Sequence, residues 1–185
     1  QMLLDILARY DVKATFFLVG DWVDKYPESV KALGDAGMEV MNHSNHHDHF
    51  NRLTADEIVA DVTACNDKVK AITGIAPTLI RCPYGEYDDH VISAIRSMGT
   101  EPIQWDVDSL DWQDYDAKTI FKRVTENLHP GSIVLFHNQA LHTPDALPHI
   151  FEFLQPTGYT VVPLGTLIYP ENYTIDHATR TLPAH

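Results

Sequence analysis

His43 and His47, in the stretch Asn42-His43-Ser44-Asn45-His46-His47, are the side chains whose type and spacing point most directly to chemistry. They follow an apolar, strand-like run, and two imidazoles four residues apart can converge on one metal ion. The same loop holds His46 and His49, and with 11 histidines in 185 residues the competing reading is a solvated histidine-rich loop. Three further clusters bear on the choice: Arg81-Cys82-Pro83-Tyr84-Gly85, Asp108-Ser109-Leu110-Asp111-Trp112 and Leu135-Phe136-His137. Taken singly, an aspartate or histidine at a strand end is mostly a cap or turn former. Taken together, they offer a carboxylate to orient a histidine, an imidazole to donate a proton and an arginine to hold a further acid, which is the equipment of a hydrolytic site.

The elements that must position these residues alternate. Apolar residues at helical spacing open the chain (Met2, Leu3, Ile6, Leu7, Tyr10), and Ala14 to Gly20 reads as a buried strand. A helix is expected over 21–36 with a break near Pro27 and a cap at Gly37, then a strand from Met38 to Met41. Thr54 and Glu57 form a capping box ahead of the stripe Ile58, Val62, Cys65, Val69 and Ile72, which runs to Gly74. Further strands are expected at 78–82, 102–107, 132–136 and 159–162, with helices at 89–98, 117–128 and from Thr143-Pro144 onward. Six strands alternating with helices imply a parallel α/β sheet, either open and doubly wound or closed as a barrel. In a barrel, side chains that follow the strands converge at one mouth.

Length and composition bound the function. With 44% hydrophobic residues over 185 positions, the chain can bury one sizeable core. The formal charge of −13, without a Lys/Arg block, argues against a nucleic-acid partner. Cys65 and Cys82 alone make no disulfide framework or structural zinc site. No stretch has the roughly 20 apolar residues needed to span a bilayer, and oligomeric state leaves no mark on the sequence. The catalytic unit is expected over 1–169, with 170–185 a peripheral tail.

At these residues the chain resembles the polysaccharide deacetylases of carbohydrate esterase family four, the chitooligosaccharide deacetylase homology domain. The family pattern His-Ser/Thr-x-x-His is similar to His43–His47, Arg-x-Pro-Tyr/Phe-Gly to Arg81–Gly85, Asp-x-x-Asp-Trp to Asp108–Trp112, and Leu-x-His to Leu135–His137, all in family order. Val12-Lys13-Ala14-Thr15-Phe16-Phe17 resembles the family's second strand. The resemblance implies a deformed (β/α) barrel that binds one divalent metal, commonly zinc, with cobalt or nickel as alternatives. It implies hydrolysis of acetyl groups from N-acetylglucosamine units of peptidoglycan, chitin or chitooligosaccharide, and a secreted or envelope location. His43 and His47 are the implied metal ligands, and His137 the proton donor, oriented by Asp111. Arg81 is implied to pair with the acidic general base. The Tyr84 backbone N–H would face the oxyanion, Leu135 would line the acetyl-methyl pocket, and Trp112 would wall the groove.

One motif is missing. The family's Thr-Phe-Asp-Asp-Gly, on its first strand, supplies the general base and a carboxylate ligand, and no Asp-Asp precedes the opening helix here. Asp5 and Asp11 lie within and just after that helix, and Asp48 is a poor substitute beyond His47. The expectation is a chain that begins downstream of its first strand and is inactive or weak as it stands, since a positioned general base contributes about 10²- to 10⁴-fold in rate. Two other readings remain within the motifs, an O-acetyl esterase acting on xylan and a non-catalytic carbohydrate-binding pseudoenzyme. A metal-buffering loop is a third.

Overall fold

The computed structural model describes residues 2–168 and, beyond them, only the strand backbones at 173–176 and 180–183. The expected boundary at 169 and most of the tail over 170–185 lie outside the described residues. Six short strands run parallel: β1 (Thr15–Leu18), β2 (Glu39–Asn42), β3 (Leu79–Ile80), β4 (Glu101–Pro102), β5 (Val107–Asp108) and β6 (Val134–Leu135). The first four form one sheet in the order β1-β2-β3-β4, and β5 and β6 form a second. The architecture is the expected α/β one of parallel strands with crossover helices, and the described strands do not close a continuous barrel.

The most secure helix of the sequence, α4 in the structure after three shorter helices (α1, Met2–Arg9; α2, Gly20–Lys25; α3, Pro27–Asp35), spans Ala55–Thr73. Thr54 and Glu57 make the reciprocal capping box, and Gly74 ends the helix at φ 77°. Ile58, Val62, Cys65 and Val69 are all fully buried, about 1.5–3 kcal/mol for each large aliphatic side chain, so the stripe fixes which face meets the sheet. The break near Pro27 divides α2 from α3, with the proline in the first turn of α3 where its missing N–H costs nothing.

Two expectations are corrected. The strand expected over 102–107 is two strands in different sheets: Pro102 ends β4, and the chain bends before β5. The bend has its own partners, because Gln104 donates to the Gly85 carbonyl at 2.7 Å and the Asp106 carboxylate accepts from Ile133 N at 2.5 Å. The strand expected at 159–162 forms no ladder among the described residues. Its Tyr-Thr-Val-Val composition suits a strand, but β-propensity needs a pairing neighbour to be realised. That segment and β1 instead both line a cavity of about 860 Å³, together with the strand-end residues discussed next.

Candidate active site

Strand register brings the motifs together. Leu18 pairs with Asn42 and Asn42 with Ile80, so the next residues along, His43 and Arg81, emerge side by side. His43 N donates to the Leu18 carbonyl at 2.9 Å and Arg81 N to the Asn42 carbonyl at 3.0 Å. In the second sheet Asp108 pairs with Leu135, which sets Asp111 and His137 just past the strand ends. His43, His47, Arg81, Tyr84, Trp112, Leu135 and His137 all line the one cavity, and buried Asp111 reaches it through His137.

The histidine pair is shaped by buried polar groups. Asn42 is fully buried; its amide donates to the Val62 carbonyl and to Asn66 Oδ1 at 2.9 and 2.7 Å, while its Oδ1 accepts from Ser44 N at 2.7 Å. Ser44 Oγ then accepts from His47 N at 2.8 Å. Positive φ at Ser44 (71°) and His47 (61°) folds the loop so that the two rings lie 4.9 Å apart, edge to face. Asp61, on α4, accepts from the backbone of Asn45 and His46 at 2.8 and 3.3 Å, and His46 Nδ1 meets Asp21 at 3.0 Å. His46 is thus an anchor of the loop on the side away from the cavity.

His43 suits metal ligation. Its Nδ1 lies 2.7 Å from the Arg81 carbonyl, which only accepts, so Nδ1 carries the proton and Nε2 keeps its lone pair. Burial pushes its pKa down to about 4 despite that hydrogen bond, with nearby His47, Arg81 and His137 adding to the effect. The ring is therefore neutral at physiological pH. Burial lowers His47 as well. Two neutral nitrogen donors fit a divalent ion of zinc type. Among the described residues no third His, Cys, Asp or Glu joins them.

Asp111 and His137 form the second half. Asp111 is fully buried in the 3₁₀ turn Asp111–Gln113. Its Oδ1 accepts from His137 Nδ1 at 2.8 Å, and its Oδ2 accepts from His137 N at 2.8 Å and from the Thr143 hydroxyl at 2.5 Å. Burial works to raise the Asp111 pKa, but these hydrogen bonds outweigh it and hold the carboxyl below its ordinary value. His137 is left half-exposed with Nε2 available. Thr143 is a site residue that the sequence shows only as a helix opener, because nothing in a separation of 32 residues betrays the contact. Asp108 keeps the turn-forming role of an isolated aspartate: its Oδ1 accepts from Leu110 N at 2.9 Å, and Leu110 sits at φ 51°.

Arg81 has no carboxylate partner among the described residues. Among the described residues no ion pair forms on it; its guanidinium lies over the Phe17 ring at 4.5 Å and the Trp105 ring at 5.4 Å. Its Nε is buried and unpaired, and burial lowers its pKa to about 10, with Asp108 pulling the other way. The acid expected opposite Arg81 is therefore not among the described residues. Tyr84 adopts the left-handed conformation (φ 59°), which costs a non-glycine residue about 1–2 kcal/mol, and its ring packs edge-on to His47 at 4.6 Å. Trp112 is exposed at the rim and Leu135 is buried below it. Cys82 is buried with its thiol pushed up to about 12, which keeps it protonated and inert.

Several known proteins are similar to this chain in sequence and fold. Peptidoglycan-N-acetylmuramic acid deacetylase PdaC of Bacillus subtilis (strain 168) is 36% identical over 167 residues, 90% of this chain and 35% of that protein. A peptidoglycan-N-acetylglucosamine deacetylase of Bacillus cereus is 32% identical over 169 residues, 89% of this chain and 62% of that one. The chain thus spans about a third to just under two thirds of these relatives. A crystal structure of a carbohydrate esterase family four pseudoenzyme from Bacillus anthracis superposes with a TM-score of 0.87 at 34% identity, covering 91% of this chain and 60% of that one. The model of the polysaccharide deacetylase family matches residues 1–103, and the chain belongs to that family.

Proposed function

We propose that this chain carries the active-site groove of a metal-dependent deacetylase acting on N-acetylglucosamine units of a glycan, of which peptidoglycan is favoured over chitin by the names of the relatives. The observation that carries the reading is the convergence, on one cavity, of a neutral imidazole pair and a histidine oriented by a buried carboxylate. His43 and His47 would hold the ion, zinc first, with cobalt or nickel as substitutes. When bound, such an ion supplies Lewis acidity toward the acetyl carbonyl and lowers the pKa of water.

The protein's own groups do the rest. Leu135 receives the acetyl methyl, Trp112 walls the sugar, and the Tyr84 N–H donates to the oxyanion as it develops. With Asp111 holding Nδ1–H, His137 gives its Nε2 proton to the departing amine. Arg81, whose Nε is buried and unpaired, would hold a carboxylate that accepts the proton of the attacking water. No such carboxylate stands among the described residues, so turnover by residues 1–185 is expected to be weak. A glycan polymer as substrate implies a secreted or envelope location.

Acetate release from peptidoglycan, chitooligosaccharide and acetylated xylan, with chelator and after zinc is restored, tests the reading. Chelator-sensitive release from the N-acetylated glycans supports it. Release from xylan alone would make the chain an O-acetyl esterase. Glycan binding with no release, even after a strand ending in Asp-Asp is fused ahead of Met2, would make it a binding pseudoenzyme, the state named for the Bacillus anthracis neighbour.

A further inference from the structure

His49 lies two residues beyond the histidine pair and outside every motif, yet it is engaged on two sides. Its Nδ1 lies 2.9 Å from Glu86 Oε2, across 37 residues of sequence, and the Tyr84 ring stacks flat on its face at 4.0 Å and 11°. The same Tyr84 ring meets His47 edge-on at 4.6 Å and 68°, and His47 meets His43 at 4.9 Å and 75°. The rings therefore form one continuous row, His43–His47–Tyr84–His49, closed at its outer end by Glu86.

We propose that His49 and Glu86 form a latch between the two loops that positions Tyr84 and, through it, the His47 imidazole. Tyr84 is 55% exposed, so the His49 face and the His47 edge are what restrain its ring. His49 can serve as a platform because both ends of the latch are fixed. Phe50, the next residue, is fully buried, and Glu86 ends the Cys82–Glu86 turn, in which Gly85 N and Glu86 N donate to the Cys82 and Pro83 carbonyls. At the inner end of the row the same two loops are joined by His43 Nδ1 and the Arg81 carbonyl. Without the latch, Tyr84 turns toward solvent, its left-handed backbone loses the ring contacts that hold it, and His47 gains rotational freedom. His49 is thus a positioning residue and not a third ligand, since among the described residues no group of three His, Cys, Asp or Glu is gathered to hold one ion.

Three variants of the 185-residue chain test the latch: His49→Ala, His49→Phe, which keeps the platform without the bond to Glu86, and Glu86→Gln, which keeps a hydrogen-bond acceptor. The first readout is the ring-current shift of the Tyr84 ring protons in the metal-free protein, and the second is zinc affinity by chelator competition. The latter rests on the reading of His43 and His47 as ligands. His49→Ala is expected to abolish the shift and weaken zinc binding about tenfold, the scale of losing an outer-shell partner. Glu86→Gln is expected to retain much of both, and His49→Phe, which has the ring without the bond, to fall between Glu86→Gln and His49→Ala, with all melting temperatures alike. Unchanged Tyr84 resonances in His49→Ala would overturn the proposal, as would equal zinc losses in His49→Ala and His49→Phe. Should the unsubstituted chain bind no zinc, the ligand reading fails, and the Tyr84 resonances still decide the latch.

Discussion

Asp111 holds His137 at two points, accepting from the ring Nδ1 and from the backbone N, each at 2.8 Å. A single side-chain bond would fix the tautomer and leave the ring free to pivot. Two bonds to one residue fix the ring relative to its own backbone, so Nε2 is aimed at the cavity with no reorganisation during reaction.

The third donor to that carboxylate gives a direct test. Thr143→Val keeps the shape of a buried side chain and removes the hydroxyl from Asp111 Oδ2, leaving part of a buried charge without its partner. The expected loss is about 1–3 kcal/mol in urea unfolding, with Thr143→Ser close to the parent chain. Equal stability of the valine variant would show that Thr143 is only a helix opener.

Acid stability carries the signature of the same carboxylate. The folded-state pKa of Asp111 lies below the ordinary 3.8, so on acidification the unfolded chain takes up this proton first. The stability contributed is complete above about pH 4 and is lost as the pH falls through the folded value. Unfolding free energies measured from about pH 6 down to about pH 2 should therefore fall more steeply below pH 4 in the parent chain than in Asp111→Asn. Parallel curves would contradict the assignment.

The turn that carries Tyr84 predicts a third outcome. Gly85 has φ +67°, and a Cβ there would lie 2.7 Å from the Trp105 ring. Gly85→Ala is expected to cost about 1–3 kcal/mol, since both the backbone and the indole must shift. Trp105 also stacks on Arg81, so an altered Trp105 emission should accompany the loss. An unaffected melting temperature would remove the close packing from the account.

Much of this was legible in the sequence, and for physical reasons. Helix α4 announced itself by a capping box, a stripe and a glycine stop, all local signals. The clusters at His43, Arg81, Asp111 and His137 were legible because each follows an apolar strand, and parallel register then carries strand ends to one mouth. The bend between Pro102 and Val107 was not, because it depends on Gln104 and Asp106 finding acceptors and donors at Gly85 and Ile133. Residues 159–162 have the composition of a strand without a ladder among the described residues, and pairing is a property of neighbours. Thr143 and Glu86 entered the site through contacts with residues 32 and 37 positions away, which leave no pattern along the chain.

The division of labour between the two histidine sets is the central claim, and metal stoichiometry measures it. Zinc-loaded His43→Ala and His137→Ala chains are compared by elemental analysis after dialysis, alongside acetate release from N-acetylated glycan by the same variants with a strand ending in Asp-Asp fused ahead of Met2. His43→Ala should lose the metal, whereas His137→Ala should keep it in full and release acetate about 10²-fold more slowly or worse, as expected for a missing proton donor. Full metal in His43→Ala, or metal lost equally from His137→Ala, would contradict the account.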